Sequence, residues 1–130
     1  MVLTPDTNML VRIFIDDDSN TEQVETARSL VKTAKKLYIP QLVQAELVWV
    51  LKSAYKLKKS QILTILKSLY SHSIFSLQNP TIFFNALGLY EAGTADFSDY
   101  LIALEAQGVD SVMYTFDKKL AKSGLAKLAI

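Results

Sequence analysis

Short strand-like runs alternate with helical segments along the whole chain of 130 residues. Strands are predicted at 2–5, 37–40, 74–77 and 111–116. Helices are predicted at about 21–36, 40–55, 60–70, 80–91 and 97–107, with a helical turn after the first strand and a short helix from Asp117. Strands separated by helices form mostly parallel sheets, because parallel neighbours need a long crossover connection. The sequence therefore predicts an α/β fold with helices on both faces of a mostly parallel sheet.

No repeat, low-complexity segment or linker divides the chain, so we expect one domain over residues 1–130. No signal-like amino terminus is present and no apolar run approaches about 18 residues, so neither export nor membrane spanning is expected. The absence of cysteine excludes disulfides and suits a reducing cytoplasm. Half of the residues are hydrophobic and the mean hydropathy is +0.19, which indicates surface that a partner covers.

The first strand ends in the stretch VLTPDTN, which places Asp6, Thr7 and Asn8 where the chain turns. Two interpretations are open at this point. Such residues satisfy backbone N–H groups at turns and helix starts, and strand ends are also where open α/β sheets keep their sites. Pro5 cannot donate a hydrogen bond to a neighbouring strand, so we expect a gap or slight bulge just before Asp6.

Glu46 lies inside an apolar predicted helix. Its neighbours at helical spacing are Leu42, Val43, Trp49 and Val50. A carboxylate on such a face should be rare unless something compensates its charge. A buried ion pair with a distant lysine and a functional carboxylate are both compatible with this segment.

Three more carboxylates lie near the carboxyl-terminal elements. Asp96 and Asp99 are three residues apart and share a helix face, where Asp96 has an ordinary interpretation as an N-cap. Asp99 points in the direction of the core residues that follow it, which a favourable interaction with the helix dipole does not explain. Asp117 ends the last predicted strand as Asp6 ends the first, and Thr115 can point a hydroxyl toward the same crevice.

The net charge of +1 hides an uneven distribution. Five acids lie in apolar surroundings: Asp6, Glu46, Asp96, Asp99 and Asp117. Fourteen basic residues against the other eight acids leave the remainder of the chain at +6. A basic body around an acidic pocket suits a polyanion held near metal ions.

Carboxylates gathered in one pocket would repel each other and raise some of their pKa values, which a divalent metal relieves. Mg²⁺ prefers one or two carboxylates together with waters and phosphate oxygens. Zinc is disfavoured, because the chain has no thiol and its one histidine, His72, is expected in a surface loop. No glycine-rich phosphate loop and no Ser-His-Asp set can be built from this sequence.

Four blocks in this order make the sequence similar to PIN-domain proteins: DTN after the first strand, a glutamate in the apolar helix after IP, ADFSDYLIA, and TFD. More narrowly, the chain resembles the VapC-type ribonuclease toxins of bacterial and archaeal toxin–antitoxin pairs. The resemblance covers essentially the whole chain and implies a PIN-like fold of three layers. It implies an acidic quartet of Asp6, Glu46, Asp99 and Asp117, a fifth acid at Asp96, and polar support from Asn8 and Thr115. Pro5 departs from the aliphatic residue expected at its position.

The implied activity is metal-dependent hydrolysis of RNA phosphodiesters, with 5′-phosphate and 3′-hydroxyl products. Asp6 and Asp99 are expected to bind Mg²⁺ or Mn²⁺ directly, and Glu46 and Asp117 directly or through water. The resemblance also implies a cognate VapB-like antitoxin, and a homodimer agrees with the apolar composition. Candidate RNA contacts are Lys52, Lys56 and Lys59, taken to share a helical face, and Lys118, Lys119 and Lys122; ordinary solvation of helix surfaces is the alternative.

Two other functions are compatible with parts of this pattern. A phosphatase or phosphotransferase with an aspartyl nucleophile also begins with an aspartate after strand one, but it needs a second aspartate where this chain has Asn8. A non-catalytic or housekeeping PIN-type module for RNA binding or processing would keep the fold. The complete set of acids counts against a non-catalytic module.

Overall fold

A computed structural model describes residues 1–130, which divide into two compact units, residues 1–80 and 81–130. The first unit contains β1 (Val2–Leu3), α1 (Thr7–Phe14), α2 (Thr21–Thr33), β2 (Lys36–Ile39), α3 (Gln41–Ser53), α4 (Lys59–Ser71) and β3 (Phe75–Leu77). Helix α5 (Pro80–Ala92) begins at the boundary, and α6 (Phe97–Gly108), β4 (Met113–Thr115), α7 (Lys118–Lys122) and β5 (Ala126–Leu128) follow. The predicted helix-rich α/β class with parallel strands is confirmed, whereas the single domain stays a prediction.

The first unit contains a parallel three-stranded sheet in the order β1-β2-β3. Leu3 is paired with Leu37, and Leu37 is paired with Phe75. Strand β1 ends at Leu3, so Pro5 lies outside the ladder and is buried. The unpaired stretch between Leu3 and Asp6 is the expected gap. Pro5 therefore lies outside the paired strand, where its missing N–H donor causes no conflict.

Helix α1 is longer than the single turn predicted from the sequence, since it runs for eight residues directly from the cap at Asp6. Leu10 and Val11 are its fully buried side chains. The Arg28 guanidinium of α2 donates a hydrogen bond to the Ile13 carbonyl at 3.2 Å and pairs with Asp16 at 2.8 Å. These contacts hold α2 against the end of α1.

Helix α3 buries a stripe that includes Leu47 and Leu51, and with it one polar residue, Gln44. The Gln44 amide nitrogen donates to the carbonyls of Ile39 and Gln78, at 3.1 and 3.0 Å. Ile39 is the last residue of β2 and Gln78 follows β3, so Gln44 joins the ends of two neighbouring strands. The start of α3 is thereby fixed to the carboxyl edge of the sheet.

The second unit is centred on aromatic packing between α5 and α6. Phe97 lies edge-on to both Phe83 and Tyr90, with ring centroids 5.7 Å apart in each pair. Gly93 ends α5 as predicted, and a Cβ at this position would lie 2.1 Å from the buried Tyr100 hydroxyl. This close approach explains the glycine, because any larger residue would displace a packed side chain.

Strands β4 and β5 form a parallel pair with Thr115 opposite Leu128. Strand β5 was not predicted; it has only three residues and only one buried side chain, Ala126. No helix combines the length and hydrophobicity that a membrane-spanning segment requires.

Candidate functional site

Asp6 is the N-cap of α1 and projects from the turn after β1. One oxygen of its carboxylate, Oδ1, accepts a hydrogen bond from the Met9 backbone N–H at 2.9 Å. The side chain is exposed, and its second oxygen remains available to a ligand. Asp6 can therefore be both a helix cap and a site residue, because the capping bond orients the carboxylate without using both oxygens.

Glu46 of α3 is joined to the first turn of α1 by a side-chain hydrogen bond. The Thr7 hydroxyl donates to Glu46 Oε1 at 2.7 Å, across 39 residues of sequence. Asp6 and Glu46 line one cleft of about 380 Å³, together with Thr7, Asn8, Val43, Trp49 and Val50. Within the first unit, the structure thus brings together two of the predicted acids and the predicted support residue Asn8.

The expected burial of Glu46 is wrong. Glu46 is exposed, and its neighbours Leu42 and Trp49 are themselves 71% and 69% exposed. The buried face of α3 lies to the side of Glu46 and contains Gln44 instead. An apolar stripe in the sequence does not distinguish a core face from an exposed apolar surface. Because the Glu46 side chain is exposed, it does not need the buried ion pair that was one of its two interpretations.

Asp117 is the N-cap of α7 and follows β4 directly. Its Oδ1 atom accepts hydrogen bonds from the backbone N–H groups of Lys119 and Leu120, at 2.9 and 3.3 Å. Thr115 Oγ1 accepts from the Asp117 backbone N–H at 3.0 Å. Thr115 therefore supports the turn that presents Asp117, and the second carboxylate oxygen projects from an exposed side chain.

Asp99 is half-buried in the first turn of α6, with Asp96 as the N-cap residue. Its pKa is raised above the usual value of 3.8, first by desolvation and then by the negative charge of Asp96, and the charge of Asp117 raises it further. A hydrogen bond from the Asp96 backbone N–H lowers the pKa and offsets part of this rise. Asp96, Asp99 and Asp117 therefore interact electrostatically within the second unit. A cation there would relieve the repulsion at Asp99.

Four of the five predicted acids, Asp6, Glu46, Asp96 and Asp117, have exposed side chains, and Asp99 alone is half-buried. Apolar neighbours in the sequence therefore did not indicate burial at these four positions. Neither unit contains three Asp, Glu or His side chains arranged to hold a metal ion. His72 is exposed at the end of α4, as expected for a surface residue.

A second cleft of about 710 Å³ in the first unit also reaches Asp6 and Asn8. Arg12, on the turn of α1 that follows Asn8, lines it, and its Nη1 donates a long hydrogen bond of 3.4 Å to the Asn8 carbonyl. The Arg12 Nε atom is buried without a hydrogen-bond partner. Asp6 and Asn8 therefore lie where two clefts adjoin.

The predicted lysine candidates are exposed, but the expected common face of Lys52, Lys56 and Lys59 is wrong. Lys52 belongs to α3, Lys59 begins α4, and Lys56 lies between them with a φ of 54°. Helix α3 has already ended at Ser53, and the left-handed backbone at Lys56 lies in the turn that follows, so helical spacing does not apply across this segment. Lys118, Lys119 and Lys122 all lie on the short helix α7 after Asp117.

Three residues of the site were missed or assigned a different role. Thr7 was expected to hold its own turn but binds Glu46 instead, while Arg12 and Trp49 were not identified as cleft residues. The contact of Thr7 spans 39 residues, so no local pattern reports it. A tryptophan three positions after a candidate carboxylate was the one available signal for Trp49, because residues at that spacing adjoin on a helix.

The chain belongs to the PIN domain family, whose pattern matches residues 3–124. It is 25% identical over 122 residues to a VapC ribonuclease from Aquifex aeolicus (strain VF5), an alignment that covers 92% of this chain and 90% of that protein. The predicted resemblance to PIN-domain proteins of the VapC type is confirmed.

Proposed function

We propose that this chain is a metal-dependent endoribonuclease and the toxin of a VapBC-type toxin–antitoxin pair. The observation that carries the proposal is the cleft that Asp6 and Glu46 share in a chain of the PIN domain family. Two carboxylates that the family resemblance assigns to the site project into one open depression, where a phosphodiester has access. The VapC ribonuclease relative supports RNA as the substrate.

The donor set fits a hard divalent cation, Mg²⁺ or Mn²⁺. Asp6 and Asp117 each use Oδ1 for capping, which leaves the other oxygen available. Desolvation, and then the charges of Asp96 and Asp117, raise the pKa of Asp99, so a cation bound nearby would stabilise its ionised form. Asp6 and Asp99 are proposed as direct ligands, and Glu46, Asp96 and Asp117 as ligands directly or through water.

The reaction adds water across the bond between phosphorus and the 3′ oxygen of RNA. The hydroxyl joins phosphorus to give a 5′-phosphate, and the leaving 3′ oxygen takes up a proton to become a hydroxyl. A bound divalent cation supplies the positive charge that makes water a better nucleophile and stabilises the leaving oxygen. The Thr7 hydroxyl holds Glu46 in one orientation, and Thr115 holds the turn at Asp117. Pre-orientation of this kind removes reorganisation from the reaction step.

Lysines at two places on the surface are proposed to attract the phosphate backbone. Lys118, Lys119 and Lys122 follow Asp117 on α7, and Lys52, Lys56 and Lys59 lie around the turn after α3. Such contacts position a polyanion without reading its sequence. The proposed protein partners are a VapB-like antitoxin and a second copy of the chain, and the proposed place of action is the cytoplasm.

RNA cleavage and growth arrest test this proposal together. Purified chain should cleave structured RNA with Mg²⁺ or Mn²⁺ and leave 5′-phosphate ends, and EDTA should stop the reaction. Expression alone should arrest growth, and co-expression with the product of the adjacent small gene should relieve it. Cleavage without growth arrest would favour the housekeeping nuclease, and the absence of cleavage with either metal would contradict the proposal.

A further inference from the structure

Trp49 is the one tryptophan of the chain and is 69% exposed. It lies three residues after Glu46 on α3, which places the two side chains side by side on the helix surface. A large aromatic ring left open to water loses the stabilisation that burial would give it. Its position therefore points to a ligand that covers the ring.

The surroundings of the ring are those of a small-molecule site rather than a broad apolar surface. Trp49 lines the same cleft as Asp6 and Glu46, with Val43 and Val50 as the other apolar walls. The volume of about 380 Å³ falls within the range of ligand pockets. Thr7 and Asn8 add uncharged hydrogen-bonding groups at the same opening.

We propose that Trp49 is a stacking platform for a single unpaired nucleobase of the RNA substrate, next to the phosphodiester that is cleaved. This inference rests on the proposed function, since it takes the phosphate to lie at Asp6. RNA is recognised largely through splayed bases that stack on aromatic side chains. The base occupies the apolar side of the cleft while its phosphate occupies the side of the two carboxylates.

Leu42 allows a nucleobase to be distinguished from a protein partner. It is 71% exposed and lies on the same helix, two turns before Trp49, but it does not line the cleft. A protein that docks along α3 would contact both exposed side chains. A nucleobase that stacks in the cleft would contact the indole alone.

Intrinsic fluorescence tests the contact directly, because Trp49 is the one source of tryptophan emission. The probes are single-stranded RNA oligonucleotides of mixed sequence and abasic strands of the same length and charge. They are added with Mn²⁺ to the full Asp99→Asn chain, which keeps every cleft residue and is expected to cleave RNA slowly. The RNA should quench the emission, and the abasic strand should bind with little quenching. Equal quenching by both strands, or RNA binding seen by anisotropy without quenching, would overturn the proposal.

Cleavage kinetics on an otherwise wild-type chain give the second measurement. Trp49→Ala should raise KM by about 5- to 100-fold, the loss expected for one stacked base. Trp49→Phe should restore most of the loss, and Leu42→Ala should cleave like the parent. Equal losses from Trp49→Ala and Leu42→Ala, or emission that changes on dilution without RNA, would assign the ring to a protein interface and reject the stacking site. Normal cleavage with an unchanged KM in Trp49→Ala would reject the stacking site but not the proposed function. A parent chain that neither binds nor cleaves RNA would reject both.

Discussion

The Thr7 hydroxyl donates a hydrogen bond of 2.7 Å to Glu46, and so joins the first turn of α1 to the middle of α3. Thr7 follows Asp6 directly, so one turn orients both carboxylates. The Met9 backbone N–H binds the Asp6 carboxylate, and the Thr7 side chain binds that of Glu46. The bond engages Glu46 Oε1 and not Oε2, and Glu46 lines a cleft together with Asp6. The relation between these two acids is thereby fixed before any ligand arrives.

Thr7→Val should lower the cleavage rate about tenfold, because a hydrogen bond to a charged acceptor is worth about 1.5 kcal/mol or more. Thr7→Ser keeps the hydroxyl and should retain most of the rate. Initial rates at saturating Mn²⁺ measure the effect, with thermal melts to verify that the three proteins are equally folded. A valine variant as fast as the parent would show that Glu46 does not need this partner.

Asp117 has a capping role and a proposed ligand role, which two substitutions can separate. Asp117→Asn keeps a good N-cap and should leave the free energy of unfolding within about 0.5 kcal/mol of the parent. The cleavage rate of this variant should nevertheless fall by about tenfold or more, because the carboxylate is lost. Asp117→Ala should in addition lose about 1 kcal/mol of stability. Urea unfolding and cleavage rates measure the two effects. If cleavage falls only in the alanine variant, in step with stability, Asp117 is a cap and nothing more.

Neutralising Asp99 should stabilise the metal-free protein at pH 7. Desolvation, and then the charge of Asp96, raises the pKa of this carboxyl, so the folded protein holds the proton more tightly than the unfolded chain. The stabilising contribution of Asp99 is therefore present in acid, below its unfolded pKa, and is lost as the pH rises through its folded pKa. Because much of the group is solvated, Asp99→Asn should add less than about 1 kcal/mol, or at most about 4 °C in the midpoint.

Melts of both proteins in EDTA at pH 7 and at acidic pH measure this effect, and the difference should shrink as the pH is lowered. In excess Mn²⁺ the parent should gain more stability than Asp99→Asn, because a ligand adds RT ln(1 + [L]/Kd) to the stability of the native state and the parent should have the smaller Kd. A variant that melts lower than the parent at both pH values, with an equal response to Mn²⁺, would mean that Asp99 is an ordinary helix-start carboxylate.

Gln44→Ala should destabilise the first unit by about 2–4 kcal/mol. The substitution removes the amide donor from the Gln78 carbonyl and from the Ile39 carbonyl, which keeps only the Gln78 backbone N–H, and it opens a void at a position that is fully buried. Gln107→Ala, at an exposed position of α6, is the matched control and should change stability by less than about 0.5 kcal/mol. Urea midpoints report both values, and equal midpoints for the two variants would contradict the bracing role of Gln44.

The parts of the fold that follow from local signals were predictable from the sequence. Asp6 and Asp117 were placed at strand ends because a short apolar run followed by a capping residue is a local pattern, and both carboxylates cap helices as that pattern indicates. The same signals gave the start of α6 and its two acids. The alternation of strands and helices likewise gave parallel pairing.

The remaining features depend on contacts between distant segments. The apolar face around Glu46 was read as a core face, yet the sheet edge to which α3 packs selects the neighbouring face with Gln44. Lys56 has a left-handed backbone conformation, which residues other than glycine rarely adopt. The turn at Lys56 therefore has no local signal in the sequence. Strand β5 is three residues long and is defined by its pairing with β4 rather than by its own composition.

The cleavage rate of one RNA, measured across a titration of Mn²⁺ with the parent, Asp6→Asn and Asp99→Asn, tests the central claim most directly. The claim is that Asp6 and Asp99 are each required for a metal-dependent reaction. The parent should have no activity in EDTA and a rate that saturates with Mn²⁺. Each variant should lose at least about 100-fold of that rate while its far-ultraviolet circular dichroism stays that of the parent. Cleavage that persists in EDTA, or parent-like rates in both variants, would contradict the account.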